Sequence, residues 1–196
     1  MSDPVLYVFF GLIASGKSTL SALFCRKYNC SGYNTDRVRK ELAGLAANER
    51  RLDGMGEGIY TPEFTAKTYQ AMLDRTADDI AQGKQKVVLD GSYSRRADRR
   101  KVLELAELLG VRVCFILCTC SDQEVKRRLA LRARDPDAVS DGRWEIFARQ
   151  KKTFEFPEEL DKKQFMELDT ENTPALLLED VERFCLTGLD NPDRAR

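Results

Sequence analysis

The residues best suited to chemistry lie between positions 11 and 18, where the chain reads Gly-Leu-Ile-Ala-Ser-Gly-Lys-Ser after a six-residue apolar segment. This segment fits the pattern G-x-x-x-x-G-K-[ST], in which backbone N–H groups surround a phosphate chain at the start of a helix. The lysine can reach the outer phosphates, and the serine hydroxyl can bind Mg²⁺. The candidate phosphate-binding residues are Gly11, Ala14, Ser15, Gly16, Lys17, Ser18 and Thr19. The alternative is an ordinary glycine-rich turn, which the preceding apolar segment does not favour.

A carboxylate and a guanidinium, Asp36 and Arg39, are three residues apart at a predicted helix start. Side chains at this spacing share a helix face, so both can point into one cleft. In phosphoryl transfer such a carboxylate accepts the proton of an attacking hydroxyl, and the arginine holds the substrate. The alternative is that Asp36 only caps the helix and Arg39 is a solvated side chain.

Asp90 ends a short apolar run that predicts a buried strand. A carboxylate at this position can bind Mg²⁺ together with Ser18, usually through water. Ser92 and Arg95 follow and are candidates for substrate binding, as is Asp90 itself. A turn-forming aspartate is the alternative. Because Gly91 rather than glutamate comes next, the acid that positions water in many ATPases is missing from the sequence.

An arginine-rich helix is predicted after position 121. Its arginines are Arg127, Arg128, Arg132 and Arg134. Like charges four residues apart are unfavourable unless an anion binds between them, so we expect a lid over about residues 127–142. In this interpretation Arg128 and Arg132 contact ATP phosphates and stabilise charge on the transferred group. A solvated basic face is the alternative.

Composition restricts the classes of function. Among 196 residues there is no histidine, which excludes imidazole bases and histidine-bound metals and leaves carboxylates as the acid–base groups. The 32 basic and 32 acidic residues balance, so no overall field attracts nucleic acid or a membrane surface. No apolar run approaches the length of a membrane span, and we expect a cytoplasmic protein. We expect one domain over residues 1–196, with a polar tail at 190–196.

Strand and helix signals alternate along the chain. Predicted strands cover 5–10, 31–34, 86–90, 111–120 and 164–168, and predicted helices cover about 17–28, 37–43, 61–82, 96–109, a segment after 121, 140–152 and 173–187. Thr35 or Asp36 is predicted to cap the second helix. This alternation predicts an α/β fold with a parallel five-stranded sheet and helices on both faces. Ligands then bind at the carboxyl ends of the strands.

The motifs together resemble those of P-loop kinases of the adenylate-kinase-like group, including the polynucleotide-kinase and zeta-toxin-like proteins. The segment 34–39, Asn-Thr-Asp-Arg-Val-Arg, resembles the D-x-x-R stretch of polynucleotide kinases. The segment 132–141 and the later Gln150 and Phe156-Pro157 are similar to kinase-like domains found fused to aminoglycoside-phosphotransferase-like domains. The resemblance implies a three-layer P-loop NTPase fold, ATP and Mg²⁺ as cofactors, Asp36 as general base and an arginine-rich helical lid.

These observations lead to an ATP- and Mg²⁺-dependent kinase that phosphorylates a hydroxyl of a small molecule or nucleotide. The predicted catalytic residues are Asp36, Lys17, Arg128 and Arg132. A 5′-hydroxyl polynucleotide kinase is one alternative, although the zero net charge argues against a long nucleic-acid groove. A nucleotide-dependent switch without acceptor chemistry is the other. The sequence leaves the acceptor and the oligomeric state open.

Overall fold

The computed structural model describes residues 3–46, 49, 57–133 and 144–187. Within these residues five parallel strands form one sheet in the order β2-β3-β1-β4-β5. The strands are β1 (Val5–Phe10), β2 (Ser31–Asn34), β3 (Lys86–Gly91), β4 (Arg112–Thr119) and β5 (Phe165–Asp169). The predicted parallel five-stranded sheet is therefore confirmed.

The described residues contain seven helices, with one or two of them after each strand. They are α1 (Lys17–Tyr28), α2 (Thr35–Leu42), α3 (Pro62–Ala81), α4 (Arg96–Leu109), α5 (Asp122–Ala133), α6 (Trp144–Thr153) and α7 (Pro174–Thr187), and a short 3₁₀ helix covers Gly58–Tyr60. Most bounds agree with the prediction to within one or two residues. Arg134 and the rest of the predicted lid to residue 142, the predicted start of α6 at residue 140, and the polar tail at 190–196 lie outside the described residues.

The sheet is buried on both faces, which explains why its central strands read as continuous apolar runs. Alternate residues of β1 point to opposite sides: Leu6, Val8 and Phe10 join one core cluster, and Val5, Tyr7 and Phe9 join the other. Helices α3 and α4 cover the first face, while α1 and α7 cover the second. The result is the predicted three-layer arrangement of helices, sheet and helices.

The strand register brings the functional loops to one edge of the sheet. Asp90 of β3 is paired with Phe9 of β1 on one side and with Asn34 of β2 on the other. The carboxyl ends of these three strands therefore lie next to one another. A third cluster of buried side chains, Ala14, Val125, Leu129 and Phe147, packs α5 and α6 against the loop that follows β1.

Candidate active site

The loop between β1 and α1, residues 11–16, has the backbone conformation that its glycines allow. Gly11 has φ 136° and Gly16 has φ 89°, values in the left-handed region that favours glycine. A Cβ at Gly11 would lie 2.4 Å from the carbonyl oxygen of Cys118. A Cβ at Gly16 would lie 2.8 Å from Thr170 Oγ1. Both positions therefore require glycine, and the loop meets the start of α1 as the phosphate-binding pattern predicts.

Lys17 begins α1, and its side chain turns back over the loop. Its Nζ donates to the carbonyl oxygen of Leu12 at 3.1 Å. The ammonium group therefore lies beside the loop, where it adds positive charge to the partial charge of the helix N-terminus. Phosphate binding by this loop stays a prediction.

A buried polar cluster lies between α1 and the carboxyl ends of β2 and β3. Asp90 is 4% exposed, and its Oδ2 accepts hydrogen bonds from Asn34 Nδ2 at 2.6 Å and Ser21 Oγ at 3.2 Å. The same Asn34 amide lies 3.4 Å from Ser18 Oγ. Burial raises the pKa of Asp90, while the charge of Lys17 and these hydrogen bonds act in the opposite direction.

This cluster suits a hard cation. The second oxygen of Asp90, Oδ1, is buried and has no partner among the described residues, so it is available for a cation or its bound water. The described residues contain no group of three or more His, Cys, Asp or Glu side chains that could enclose a metal. Mg²⁺ usually binds through one or two carboxylates and keeps several waters or phosphate oxygens. Ser18 and Asp90 therefore fit the predicted magnesium ligands.

Helix α2 begins earlier than predicted, and its cap is a different residue. The side chain of Asn34 accepts hydrogen bonds from the N–H groups of Asp36 and Arg37, each at 3.1 Å. The prediction that Thr35 or Asp36 caps this helix is therefore wrong. Thr35 lies inside the helix and donates instead to the backbone oxygen of Asp90 at 2.9 Å. The Asp36 carboxylate therefore does not cap the helix and can interact with other groups.

Asp36 and Arg39 lie on one helix face, as their spacing predicts. Arg39 Nη1 donates to Asp36 Oδ1 at 3.1 Å, and Nη2 donates to Thr65 Oγ1 at 3.4 Å. The guanidinium also lies over the ring of Tyr60, 4.9 Å from its centroid. Arg39 is only 7% exposed. The alternative of a solvated Arg39 is therefore wrong, and Asp36 is held in place by a fixed neighbour.

Arg128 braces the phosphate loop, a role that the sequence did not predict. Its Nη1 donates to the backbone oxygen of Ala14 at 3.2 Å and to Thr170 Oγ1 at 2.9 Å. Its Nη2 donates to the backbone oxygen of Thr170 at 2.8 Å, and its Nε donates to Glu124 at 2.7 Å. Thr170 in turn donates to the backbone oxygen of Ser15 at 2.7 Å. The contact of Arg128 with phosphate stays a prediction.

Arg132, one turn further along α5, faces the interior of the site. It lines both cavities described below, and burial together with the nearby charge of Arg128 lowers its pKa. The neighbouring Arg127 is exposed and pairs with Glu124. The three described arginines of this helix therefore have different environments: Arg127 is solvated, Arg128 supports the phosphate loop and Arg132 lines the two cavities.

Two adjoining cavities meet at Ser18, Asn34, Asp36 and Arg132. The first, which we call the central cavity, has a volume of about 400 Å³ and also contains Lys17, Arg39, Ser92 and Arg95. The second, the α1 cavity, has a volume of about 500 Å³ and also contains Asp90 and Ser21. The structure therefore brings the predicted base, the predicted substrate residues and the end of the phosphate loop to one cavity, with Asp90 next to it.

Two side chains of the central cavity, Gln150 and Asp98, were not among the predicted site residues. Gln150 of α6 accepts a hydrogen bond from the N–H of Ile13 at 2.9 Å, which connects α6 to the phosphate loop. Asp98 lines the same cavity, and burial raises its pKa despite nearby Arg95. The only sequence signal for the position of Asp98 was its short separation from Arg95, a predicted substrate residue. The contact of Gln150 spans 137 residues, so no local pattern could indicate it.

The turn after β3 is held by a buried guanidinium. Arg99 is fully buried, donates from Nη1 to the backbone oxygen of Tyr93 at 2.9 Å, and donates from Nε to Glu159 at 2.6 Å. The hydroxyl groups of Tyr69 and Ser92 lie 3.1 Å apart in the same region. Two arginines that follow β3 therefore have different roles: Arg95 lines the central cavity, while Arg99 supports the turn.

The parallel sheet, the glycine loop at the start of α1 and the Asp90 strand define a P-loop NTPase fold, as predicted. Comparison with sequence families agrees: the profile of a family described as "AAA domain" matches residues 6–157, and the chain belongs to this family. A comparison with curated proteins finds no match. None of the helices in the described residues is long and apolar enough to cross a membrane.

Solved structures of kinases share this fold. A gluconokinase from Sinorhizobium meliloti 1021 is 18% identical, with a TM-score of 0.61, covering 95% of this chain and 91% of its own. A shikimate kinase from Aquifex aeolicus is 13% identical, with a TM-score of 0.59, covering 95% and 99%. An APS kinase from Mycobacterium tuberculosis, solved with AMPPNP and APS, is 16% identical, with a TM-score of 0.63, covering 94% and 98%. The finer resemblance to polynucleotide kinases and zeta toxins stays a prediction.

Proposed function

We propose that this protein is an ATP- and Mg²⁺-dependent kinase that transfers the γ-phosphoryl group to a hydroxyl of a small molecule. One observation carries the proposal. The Asp36 carboxylate lines the same cavity as Lys17 and Ser18 of the phosphate loop. A hydroxyl bound in that cavity can therefore meet both a proton acceptor and the end of the phosphate chain.

Two further features support phosphoryl transfer over simple hydrolysis. The structures that share the fold include three proteins named as kinases, a gluconokinase, a shikimate kinase and an APS kinase. In addition, Gly91 follows Asp90, so the residue next to this aspartate cannot orient an attacking water. A binding module without acceptor chemistry would not need the paired Asp36 and Arg39 inside the cavity.

The residues present fit the two groups that the proposal requires. The backbone of residues 12–16, Lys17 and Thr19 would hold the phosphates of ATP, and Ser18 with Asp90 would hold Mg²⁺. When bound, Mg²⁺ supplies positive charge that offsets the negative charge of the phosphates. These residues therefore support ATP and Mg²⁺ as the cofactors.

The protein's own side chains then have separate tasks. Asp36 accepts the proton of the acceptor hydroxyl, which makes the oxygen a better nucleophile. Arg39 keeps this carboxylate in position through the 3.1 Å hydrogen bond. Lys17 and Arg132 place positive charge on the side of the cavity where negative charge develops on the transferred group. Ser92 and Arg95, which line the same cavity, contact the acceptor.

The substitution Asp36→Asn tests the proposal. Because Asn34 caps α2, the change does not touch the cap, and the amide oxygen of asparagine can still accept from Arg39. Fold and ATP affinity should remain close to wild type, while phosphorylation falls by about 10²- to 10⁴-fold, the usual contribution of a general base. The assay combines ATP titration with transfer of labelled phosphate to a panel of hydroxyl compounds that includes a 5′-hydroxyl oligonucleotide.

The control is Asp74→Asn, a carboxylate on the exposed side of α3 that hydrogen-bonds to Gln70. It should leave both measurements unchanged. Near-wild-type transfer by Asp36→Asn would mean that Asp36 is not the base. Tight ATP binding by the wild type without product from any acceptor class would contradict kinase function.

A further inference from the structure

Two cysteines, Cys25 and Cys30, lie where α1 leads into β2. After α1 ends, Asn29 adopts φ 48°, and the N–H of Cys30 donates to the backbone oxygen of Cys25 at 3.2 Å. In this type of helix C-terminus the side chains of the first and last residues of the six-residue turn frequently contact each other. Here the two thiols are hydrogen-bonded to each other, so they lie side by side.

Both thiols can be reached from solvent. Cys25 and Cys30 are half-buried, and both line the α1 cavity that also contains Ser18 and Asp90. A small reagent that enters this cavity therefore meets both sulfur atoms together. In addition, interaction with the Cys25 thiol lowers the pKa of Cys30, which favours the reactive thiolate form.

The chain contains a second pair that serves as a comparison. Cys114 of β4 and Cys185 of α7 also interact, and this interaction lowers the pKa of Cys114. Both are buried, however, at 4% and 7% exposure, and neither lines the central cavity or the α1 cavity. The Cys25–Cys30 and Cys114–Cys185 pairs therefore differ mainly in how readily a dissolved reagent can reach their thiols.

We propose that Cys25 and Cys30 form a reversible dithiol–disulfide site that reacts with peroxides. The Cys30 thiolate attacks one oxygen of hydrogen peroxide, which gives a sulfenic acid and releases hydroxide. The Cys25 sulfur then attacks the sulfenic sulfur, the S–S bond forms and a second hydroxide leaves. The two thiol protons convert the hydroxides to two waters, so two electrons pass from the sulfurs to the peroxide. A dithiol reductant reverses the reaction by thiol–disulfide exchange.

The test uses the full reduced chain and one molar equivalent of hydrogen peroxide. Unreacted thiols are alkylated, and the protein is digested with trypsin. Because Arg26 and Lys27 lie between the two cysteines, trypsin separates them, and a disulfide joins two peptides that are otherwise independent. The expected product is this linked pair of peptides in most of the protein, lost after dithiothreitol treatment. Cys114 and Cys185 should remain alkylated as free thiols.

Variants provide the controls. Cys25→Ser and Cys30→Ser should each abolish the linked peptides, whereas Cys185→Ser should leave their yield unchanged. The proposal is overturned if Cys25 and Cys30 remain fully alkylated after peroxide treatment. It is equally overturned if they oxidise separately to sulfinic acid, or if the Cys114–Cys185 pair is cross-linked as readily as Cys25–Cys30.

Discussion

Replacing Arg128 by methionine tests whether this side chain stabilises the phosphate loop or contacts the phosphates of ATP. The side chain is 17% exposed and donates to the backbone oxygens of Ala14 and Thr170, to the Thr170 hydroxyl and to Glu124. Methionine retains much of the apolar volume but none of the donors. Glu124 keeps its hydrogen bond from Arg127. The backbone oxygens of Ala14 and Thr170 are therefore the acceptors that lose a hydrogen bond without a replacement.

The expected magnitude follows from these contacts. A hydrogen bond with a charged group contributes about 1.5–3 kcal/mol, and such contributions within one network are not additive. We therefore expect Arg128→Met to lower the free energy of unfolding by about 2–4 kcal/mol. The control Arg127→Met removes an exposed arginine of the same helix, whose solvent-screened ion pair with Glu124 should contribute little to stability.

Urea denaturation measures the free energy of unfolding, and nucleotide titration of the same samples measures ATP affinity. If Arg128→Met is as stable as Arg127→Met, the bracing role is refuted. If the variant keeps its stability but loses ATP affinity, Arg128 acts on phosphate as the sequence analysis predicted. A double substitution with Thr170→Val should show a coupling energy of about 0.5–3 kcal/mol, because the two side chains share a hydrogen bond.

Three other substitutions test separate parts of the site. Gly11→Ala, at φ 136° with a backbone oxygen 2.4 Å from the new Cβ, should cost more than about 1 kcal/mol of stability in thermal denaturation, and more than Gly83→Ala, where nothing lies within 4 Å. Hydrogen bonds from neighbouring arginines hold the pKa of Glu124 at about 2, below its ordinary value of 4.5, so its ionised form stabilises the fold above pH 4.5. The stability difference between wild type and Glu124→Gln should therefore shrink as the pH falls from 4.5 towards 2, and a constant difference would contradict this reasoning. Gln150→Ala removes the acceptor for the Ile13 N–H and should weaken ATP binding about 3- to 10-fold, with unchanged affinity as the contrary result.

The pairing of Asp36 with Arg39 illustrates how far local sequence reasoning extends. Their spacing on one helix turn was enough to predict a shared face. The identity of the helix cap was not predictable in the same way, because Asn34, Thr35 and Asp36 are all good capping residues. The pairing of β2 with β3 decided the outcome, since it places Asn34 beside Asp90 and directs Thr35 to the Asp90 backbone.

The sequence by itself determined the phosphate loop and the order of strands and helices, because both depend on residues close together in the chain. Glycine positions, apolar periodicity and the helix start are local properties. The tertiary structure alone decided the roles of Arg128 and Gln150, whose partners lie 114 and 137 residues away. Helical spacing predicts which side chains share a face of the helix, but it does not predict which residues pack against that face. Burial then determines whether a guanidinium remains solvated, as Arg127 does, or must satisfy its donors on the backbone of the phosphate loop, as Arg128 does.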